Sequence, residues 1–372
     1  VRGGGDMKVR VKRLDIKEAV RKVAGCADKK GNIPILSNIL IEAEDNTMRL
    51  TATNLEMGAS TVIPSTVDEP GKTTVNAVKF SKFVASFSGE EFEMRAEDSK
   101  LTITSTNLEF SLATLPPEEF PEIELPEEYS LRLLSSHLEK GIKKVSYAVS
   151  KDEARYILTG VYLNARGDKF HVVATDGHRL ALYELPSTSE EFSAIVPRKF
   201  LTEFRKVLKE SADVELLLKD NKFFARAGDT VVWTSVIEGE YPDYLAVIPE
   251  SNPLKCVVER DEFLSALKEI AVIYEKEEVK AVILNLTPGK LELNARGGEI
   301  EGTAEEGTVS IPAEYSGEEF QIGFNINHLI ESISSFDGDT IKILMDKPIT
   351  PVLIASDEEP ELKNVIMPMK VQ

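Results

Sequence analysis

The stretch "LDIKEAVRKVAGCAD", residues 14 to 28, decides the fold because its pattern occurs three times. Its apolar residues Ile16, Ala19, Val20, Val23 and Ala24 recur at helical spacing, one face of a 3.6-residue period. The spacing returns in "SSHLEKGIKKVSYAV" (135 to 149) as Leu138, Ile142 and Val145, and in "RDEFLSALKEIAVIY" (260 to 274) as Phe263, Leu267 and Ile270. Leu138 stands 122 residues after Ile16, and Phe263 stands 125 after Leu138. Asp15 with Glu18, and Ser136 with Glu139, read as capping boxes for the first two of these helices.

A second helix repeats on the same period. "NAVKFSKFVASF" (76 to 87) supplies Phe80 and Phe87, "PRKFLTEFRKVL" (197 to 208) supplies Leu201 and Leu208, and "NINHLIESISSF" (325 to 336) supplies Leu329 and Phe336. A seven-residue step keeps each pair on one helical face. Alternating, β-rich runs such as "YILTGVYLNA" and "KLTITSTNLEFSLATL" fill the intervals. Each unit therefore reads helix, strands, helix, strands, over a length suited to a domain. The fold class is α+β: three similar domains, each with two helices packed on antiparallel sheet. The Pro- and Glu-rich passages at 115 to 130 and 238 to 253 divide the chain into 7–126, 127–250 and 251–372, with Val1 to Asp6 read as an expression remnant ahead of Met7. Like domains in a row reuse one contact, and an arc with unlike ends can close head to tail into a dimer ring.

Composition narrows the function. The chain of 372 residues is 42% hydrophobic and 29% charged, and it holds no apolar run long enough to span a membrane. Cys26 and Cys256, both within apolar helical patterns, give no disulfide framework, so a reducing, cytoplasmic setting is expected. The net charge of −19 argues against nucleic acid until the cations are located. They gather on the repeated helices: Lys17, Arg21, Lys22, Lys79, Lys82, Lys140, Lys143, Lys144, Arg198, Lys199, Arg205, Lys206 and Lys209, with Lys29 and Lys30 following the first. Acidic residues crowd into loops and strand runs. One basic helical surface would hold a nucleic-acid backbone weakly and without sequence preference. The third unit's helices are poor in Lys and Arg and would contribute less.

Neither a phosphate-binding glycine loop nor a metal-ligand spacing occurs, so no cofactor is expected. His137 and His328 lie at helix starts and read as solvent-facing or capping. "ATDGHRLALYELP" (174 to 186) leaves Asp176 and His178 as the acid/base suspects. In the sister units "TATNLEMG" and "ELNARGGEIEG" place Asn54 and Arg296 at the position of Asp176, and Glu56 and Gly298 at that of His178. A turn fits all three versions and a catalytic dyad fits one. Gly177, His178, Arg179 and Leu180 then read as the wall of a partly apolar pocket, and the methionines of "NVIMPMKVQ" suit an adaptable binding surface.

In order along the chain, "IPILSNILI", "FSLATLPPEEFP", "ATDGHRLA", "VPRKF", "GEYPDY" and "IMPMK" resemble the bacterial beta sliding clamp family, the beta subunits of the replicative DNA polymerase. The resemblance implies a non-catalytic processivity factor: a homodimeric ring around double-stranded DNA, sequence-independent in its grip. It implies basic helical residues facing DNA, with Lys30 where an Arg is found, and a seam containing Phe110, Ile273 and Tyr274. It also implies a pocket for short motifs of the replicative polymerase, the clamp loader, other polymerases and repair proteins. Its positions here are Arg155, Leu158, Thr175, Gly177, His178, Arg179, Leu180, Pro242, Val247, Val365, Met367, Pro368 and Met369. Ala246 stands where some family members carry Arg, and Lys370 replaces a frequent Arg.

Overall fold

The computed structural model describes residues 6–187, 191–209, 211–274, 280–300 and 303–370; most of the expected leading remnant lies outside them. The first repeat runs β1 (Met7–Lys12), α1 (Arg13–Val23), β2 (Asn38–Glu44), β3 (Thr47–Thr53), β4 (Met57–Pro64), β5 (Thr66–Glu69), β6 (Gly71–Asn76), α2 (Ala77–Ser86), β7 (Glu91–Glu97), β8 (Lys100–Ser105) and β9 (Leu108–Ala113). The second runs β10 (Leu131–Leu134), α3 (Ser135–Val145), β11 (Gly160–Arg166), β12 (Lys169–Thr175), β13 (Arg179–Pro186), β14 (Phe192–Pro197), α4 (Arg198–Leu208), β15 (Asp213–Lys219), β16 (Lys222–Ala227) and β17 (Thr230–Ser235). The third runs β18 (Leu254–Glu259), α5 (Arg260–Ile270), β19 (Ala281–Thr287), β20 (Lys290–Ile300), β21 (Thr303–Pro312), β22 (Phe320–Asn325), α6 (Ile326–Ser334), β23 (Thr340–Met345), β24 (Val352–Ala355) and β25 (Leu362–Ile366).

Each repeat opens on a short strand that the expected helix-first order omits, and β1 alternates buried and open residues as a half-buried strand does. The capping boxes are corrected. The first helix starts at Arg13, after a Lys12 cap that makes no side-chain bond, and Glu18 instead meets Arg21 at 3.0 Å. Glu139 accepts both Nε and Nη2 of Arg205, at 2.9 and 2.6 Å. Cys26 lies in a 3-10 turn and Cys256 in β18 rather than in helices. Burial pushes both thiols up to about 12, so neither is a nucleophile at neutral pH.

The predicted apolar faces are the core. Ile16, Ala19, Val20 and Val23 are buried where α1 packs on β3, β4 and α2, and Phe263, Leu267 and Ile270 are buried where α5 packs on β20, β21 and α6. Each large apolar side chain among them contributes about 1.5–3 kcal/mol by leaving water.

The sheets do not stop at the repeat boundaries. One eight-stranded sheet has the order β10-β15-β16-β17-β4-β3-β2-β6, and the other β14-β11-β12-β13-β25-β24-β23-β18. In the first, β17 of the second repeat pairs antiparallel with β4 of the first; in the other, β13 pairs with β25. A five-stranded sheet, β5-β1-β7-β8-β9, and a four-stranded one, β21-β20-β19-β22, remain. The chain accordingly forms two compact units, residues 1–139 with 199–236 and residues 140–198 with 237–372, because the middle repeat gives half its strands to each neighbour's sheet.

Candidate functional site

Between β12 and β13 the chain reverses over Asp176, Gly177 and His178. Asp176 Oδ1 accepts the amides of His178 (2.9 Å) and Arg179 (3.1 Å), while Thr175 Oγ1 donates to the Arg179 carbonyl at 2.6 Å and accepts the Gly177 amide at 3.1 Å. Asn54 does the same in the first repeat, accepting the amides of Glu56 (3.0 Å) and Met57 (2.9 Å), with Thr53 Oγ1 donating to the Met57 carbonyl at 2.8 Å. Asp176 is thus a turn-former whose Oδ1 is taken by backbone amides. The third repeat differs from the expected alignment. Strand register pairs Ile283 with Asn294 as it pairs Tyr162 with Val173, which makes Arg296 the equivalent of Thr175 rather than of Asp176.

Gly177 adopts φ +88°, and a Cβ there would stand 2.8 Å from Arg155 Nη1, which donates to the Asp176 carbonyl at 3.0 Å. Arg179, expected in the pocket wall, is turned inward. It is buried, with Nε on Asp176 Oδ2 at 3.2 Å, Nη2 on the Tyr147 carbonyl at 3.0 Å and Nη1 on Glu331 of α6. His328 is also corrected. Asn325 caps α6, and the half-buried His328 ring stacks on His178 with centroids 6.3 Å apart. Burial, then the Arg179 and His178 charges, lower the pKa of His328 against the opposing pull of Asp176.

Behind the turn lies an apolar bed. Leu180 and Val365, buried cross-strand partners on β13 and β25, join Val173, Leu182, Tyr241 and Tyr244, with Leu158 packed against them. Thr175 is buried too, so these residues form the floor and not the rim. The outer side chains are Arg155, His178, Pro242, Val247 and Met367, all exposed, with Pro368 and Met369 half-buried. The Met367 amide donates to the His178 carbonyl at 2.9 Å and the Met369 amide to the Gly323 carbonyl at 2.8 Å, so the methionine segment is pinned beside the turn. Apolar side chains on a fixed backbone with a few polar groups at the edge suit an apolar anchor of a short peptide. Tyr147 and Glu331 are residues beside the turn that sequence reasoning passed over, and His328 is one it set in solvent or at a cap.

Of the basic helical residues, Lys17, Arg21, Lys30, Lys79, Lys82, Lys143, Arg198 and Lys199 are on the open side of their helices or loop. Arg205 and Lys206 are half-buried on Glu139 and Glu203. Lys140 lies 3.5 Å from Glu361 and over the Tyr183 ring. Lys144 is withdrawn from the DNA-facing set: it is 3% exposed and pairs with Asp337 and Glu359, each at 2.8 Å. On β9, Phe110 is 39% exposed and stacks on Phe83 at 5.2 Å. Ile273 is half-buried beside Gly297 and Gly307, and the Tyr274 hydroxyl donates to the Ala281 carbonyl. Val272, next to them, is exposed.

Three family profiles of the DNA polymerase III beta subunit match in succession: the N-terminal domain over residues 7–124, the central domain over 132–243 and the C-terminal domain over 245–370. The chain belongs to the DNA polymerase III beta subunit family. Among its sliding-clamp relatives, the beta sliding clamp of Rickettsia bellii is 33% identical, covering 98% of this chain and all of the relative. That of Caulobacter vibrioides is 31% identical with the same coverage. A Caulobacter crescentus beta sliding clamp crystallised with polyethylene glycol superposes with a TM-score of 0.91 at 30% identity, over 99% of this chain and all of that one. A Pseudomonas aeruginosa sliding clamp bound to griselimycin gives 0.91 at 28% identity over the same shares.

Proposed function

We propose that two copies of this chain close head to tail around duplex DNA and tether the replicative polymerase to it. The observation that carries the ring is the twice-used sheet junction. Strand β4 meets β17, and the equivalent β13 meets β25. The remaining equivalents are β21, an edge of the four-stranded sheet, and β9, an edge of the five-stranded sheet. An unpaired edge presents unused backbone donors and acceptors. Pairing β21 of one copy with β9 of another repeats the junction a third time, and doing so twice closes a two-fold ring. Phe110 on β9 and Ile273 and Tyr274 near β21 sit where that seam would form.

The tether is the pocket around Leu158, Leu180, Val365, Val247 and Met367. One buried Leu or Phe anchor contributes about 1.5–3 kcal/mol against about 4–15 kcal/mol of association cost. Single motifs from the polymerase, the clamp loader, other polymerases and repair proteins would therefore exchange on it. Exposed cations such as Lys17, Lys30, Lys79, Lys82, Lys143, Arg198 and Lys199 would meet phosphates without reading bases. The protein works without catalysis of its own, in the cytoplasm, through domains bounded at 7–126, 127–250 and 251–372.

The deciding experiment loads the protein onto circular DNA with a clamp loader and ATP and then linearises the DNA. Retention on the circle with loss on cutting is the expected result. Equal retention on both forms, or hydrolysis of the DNA by the chain alone, would refute the topological reading.

A further inference from the structure

Strand register aligns one sheet face in all three repeats. Leu40, Tyr162 and Ile283 are equivalent, each paired with the next strand at Thr51, Val173 and Asn294 and with the strand before the second helix at Thr74, Ile195 and Gly323. The chain returns to this face at matching points. Leu115 exchanges hydrogen bonds with Thr74 Oγ1, the Ile237 amide donates to the Ile195 carbonyl, and the Met369 amide donates to the Gly323 carbonyl.

Beyond these return points the first two repeats lay similar segments over the face. "EEFPEI" sets Phe120 in a cluster with Ile35 and Leu36, against which Leu40 and Ile123 pack, and its residues line one side of a cavity of about 630 Å³. "GEYPDY" stacks Tyr241 on Tyr162 at 4.5 Å and sets Tyr244 edge-on to the same ring. Both segments read acid, aromatic, Pro, acid, then aliphatic or aromatic. On the third face no such segment lies among the described residues. A cavity of about 540 Å³ stands there, bounded by Ile283, Asn294, Thr308, Tyr274 and Met369, with Arg296 and the exposed Lys370 at its rim.

We infer that this third cleft is a second docking site, for an extended partner segment of the form acid, aromatic, Pro, acid. The chain itself supplies the pattern, since two segments of that chemistry occupy the equivalent faces. The rim adds charge complementarity: Lys370 and Arg296 stand where the acidic positions would pass, although Arg296 also lies 3.8 Å from Glu306. A proline fixes the extended backbone in advance and lowers the ordering cost. The cleft shares Met369 with the pocket already described, but its floor belongs to β19, β20 and β21.

The test uses the full-length protein and a fluorescent peptide, GEYPDYLAV, copied from residues 239–247. Anisotropy should report saturable binding in the micromolar range. Replacing both tyrosines of the peptide by alanine should weaken it at least about tenfold. Asn294→Trp, which fills the cleft, should do the same, and Lys370→Glu should weaken binding by about threefold or more even if the first variant folds poorly. An unlabelled Leu- and Phe-containing peptide bound in the pocket beside His178 should not displace the probe. Lack of saturation at about 1 mM would overturn the site, as would displacement by that competitor or indifference to both substitutions. If a second copy of the chain fills the cleft instead, the probe will not bind and Asn294→Trp will lower the mass seen by light scattering, which also overturns it.

Discussion

Arg179 crosses from the pocket turn to Glu331 on α6, so the loop carrying Gly177 and His178 is fixed by a helix 152 positions further along the chain. Asp176 and the Tyr147 carbonyl complete the guanidinium's set of partners. Removing Arg179 leaves Asp176 and Glu331 facing each other without a cation, an arrangement like-charge repulsion opposes. Arg179→Ala should weaken binding of a Leu/Phe motif peptide by about tenfold or more, while Glu331→Gln, which keeps one acceptor, should cost less. Isothermal calorimetry on both variants measures the difference; equal affinity in Arg179→Ala and the parent would contradict the positioning role.

Gly177 is needed for two separate reasons, its left-handed backbone and the nearness of Arg155. An L-residue in that region costs about 1–2 kcal/mol, and the Arg155 end must also move. Gly177→Ala should lower peptide affinity by severalfold and displace Arg155 from the Asp176 carbonyl. A crystal structure of the variant with that hydrogen bond intact would show the crowding to be harmless.

At the proposed seam, Phe110 would offer an apolar ring on an otherwise exposed edge strand. Phe110→Glu would carry a charge into the strand pairing proposed between β9 and β21, where desolvation opposes it. Light scattering at micromolar concentration should then report a species near the chain mass of 41.2 kDa, with the parent at twice that. A dimeric Phe110→Glu protein would place the seam elsewhere.

Local pattern makes most of the fold legible. Helical spacing finds the two helices of each repeat, and the repeat exposes Asp176 as a turn residue through Asn54. The hidden features depend on partners distant in sequence. Lys144 reads as a surface lysine because its helix is basic, yet Asp337 and Glu359 bury it. The opening strands are too short for alternation to stand out. The β17·β4 and β13·β25 junctions pair strands far apart in the chain, which no periodicity encodes. Arg179 looks like part of the pocket surface for the same reason, since Glu331 is invisible from the motif.

Lys144 gives the clearest stability test. It is a buried cation held by two carboxylates, and Glu359 also receives the Asp337 and Gly338 amides. Breaking a buried pair by removing one partner typically costs about 3–5 kcal/mol because the other charge stays buried. Lys144→Met should therefore lower the melting temperature markedly, and adding Glu359→Gln should restore part of the loss. Thermal unfolding of the single and double variants measures this, and a double variant no more stable than the single one would rule out the stranded charge as the cause.

The same cluster predicts how the fold responds to acid. The hydrogen bond from Lys144 holds the Asp337 carboxyl below its ordinary value of 3.8. For Glu359, burial alone would raise the carboxyl, but Lys144 and the two amides outweigh it and leave it below 4.5. A carboxyl whose folded pKa is depressed binds its proton more readily when unfolded, so its contribution is complete above the unfolded value. That contribution disappears as pH falls through the folded one. The protein should accordingly keep this stabilisation at neutral pH and lose it progressively below about pH 4.5, as other depressed carboxyls add to the trend. Urea midpoints measured from pH 7 to pH 3 should fall more steeply below pH 4.5 for the parent than for the Lys144→Met and Glu359→Gln double variant. Parallel profiles for the two proteins would assign the acid sensitivity to other carboxyls.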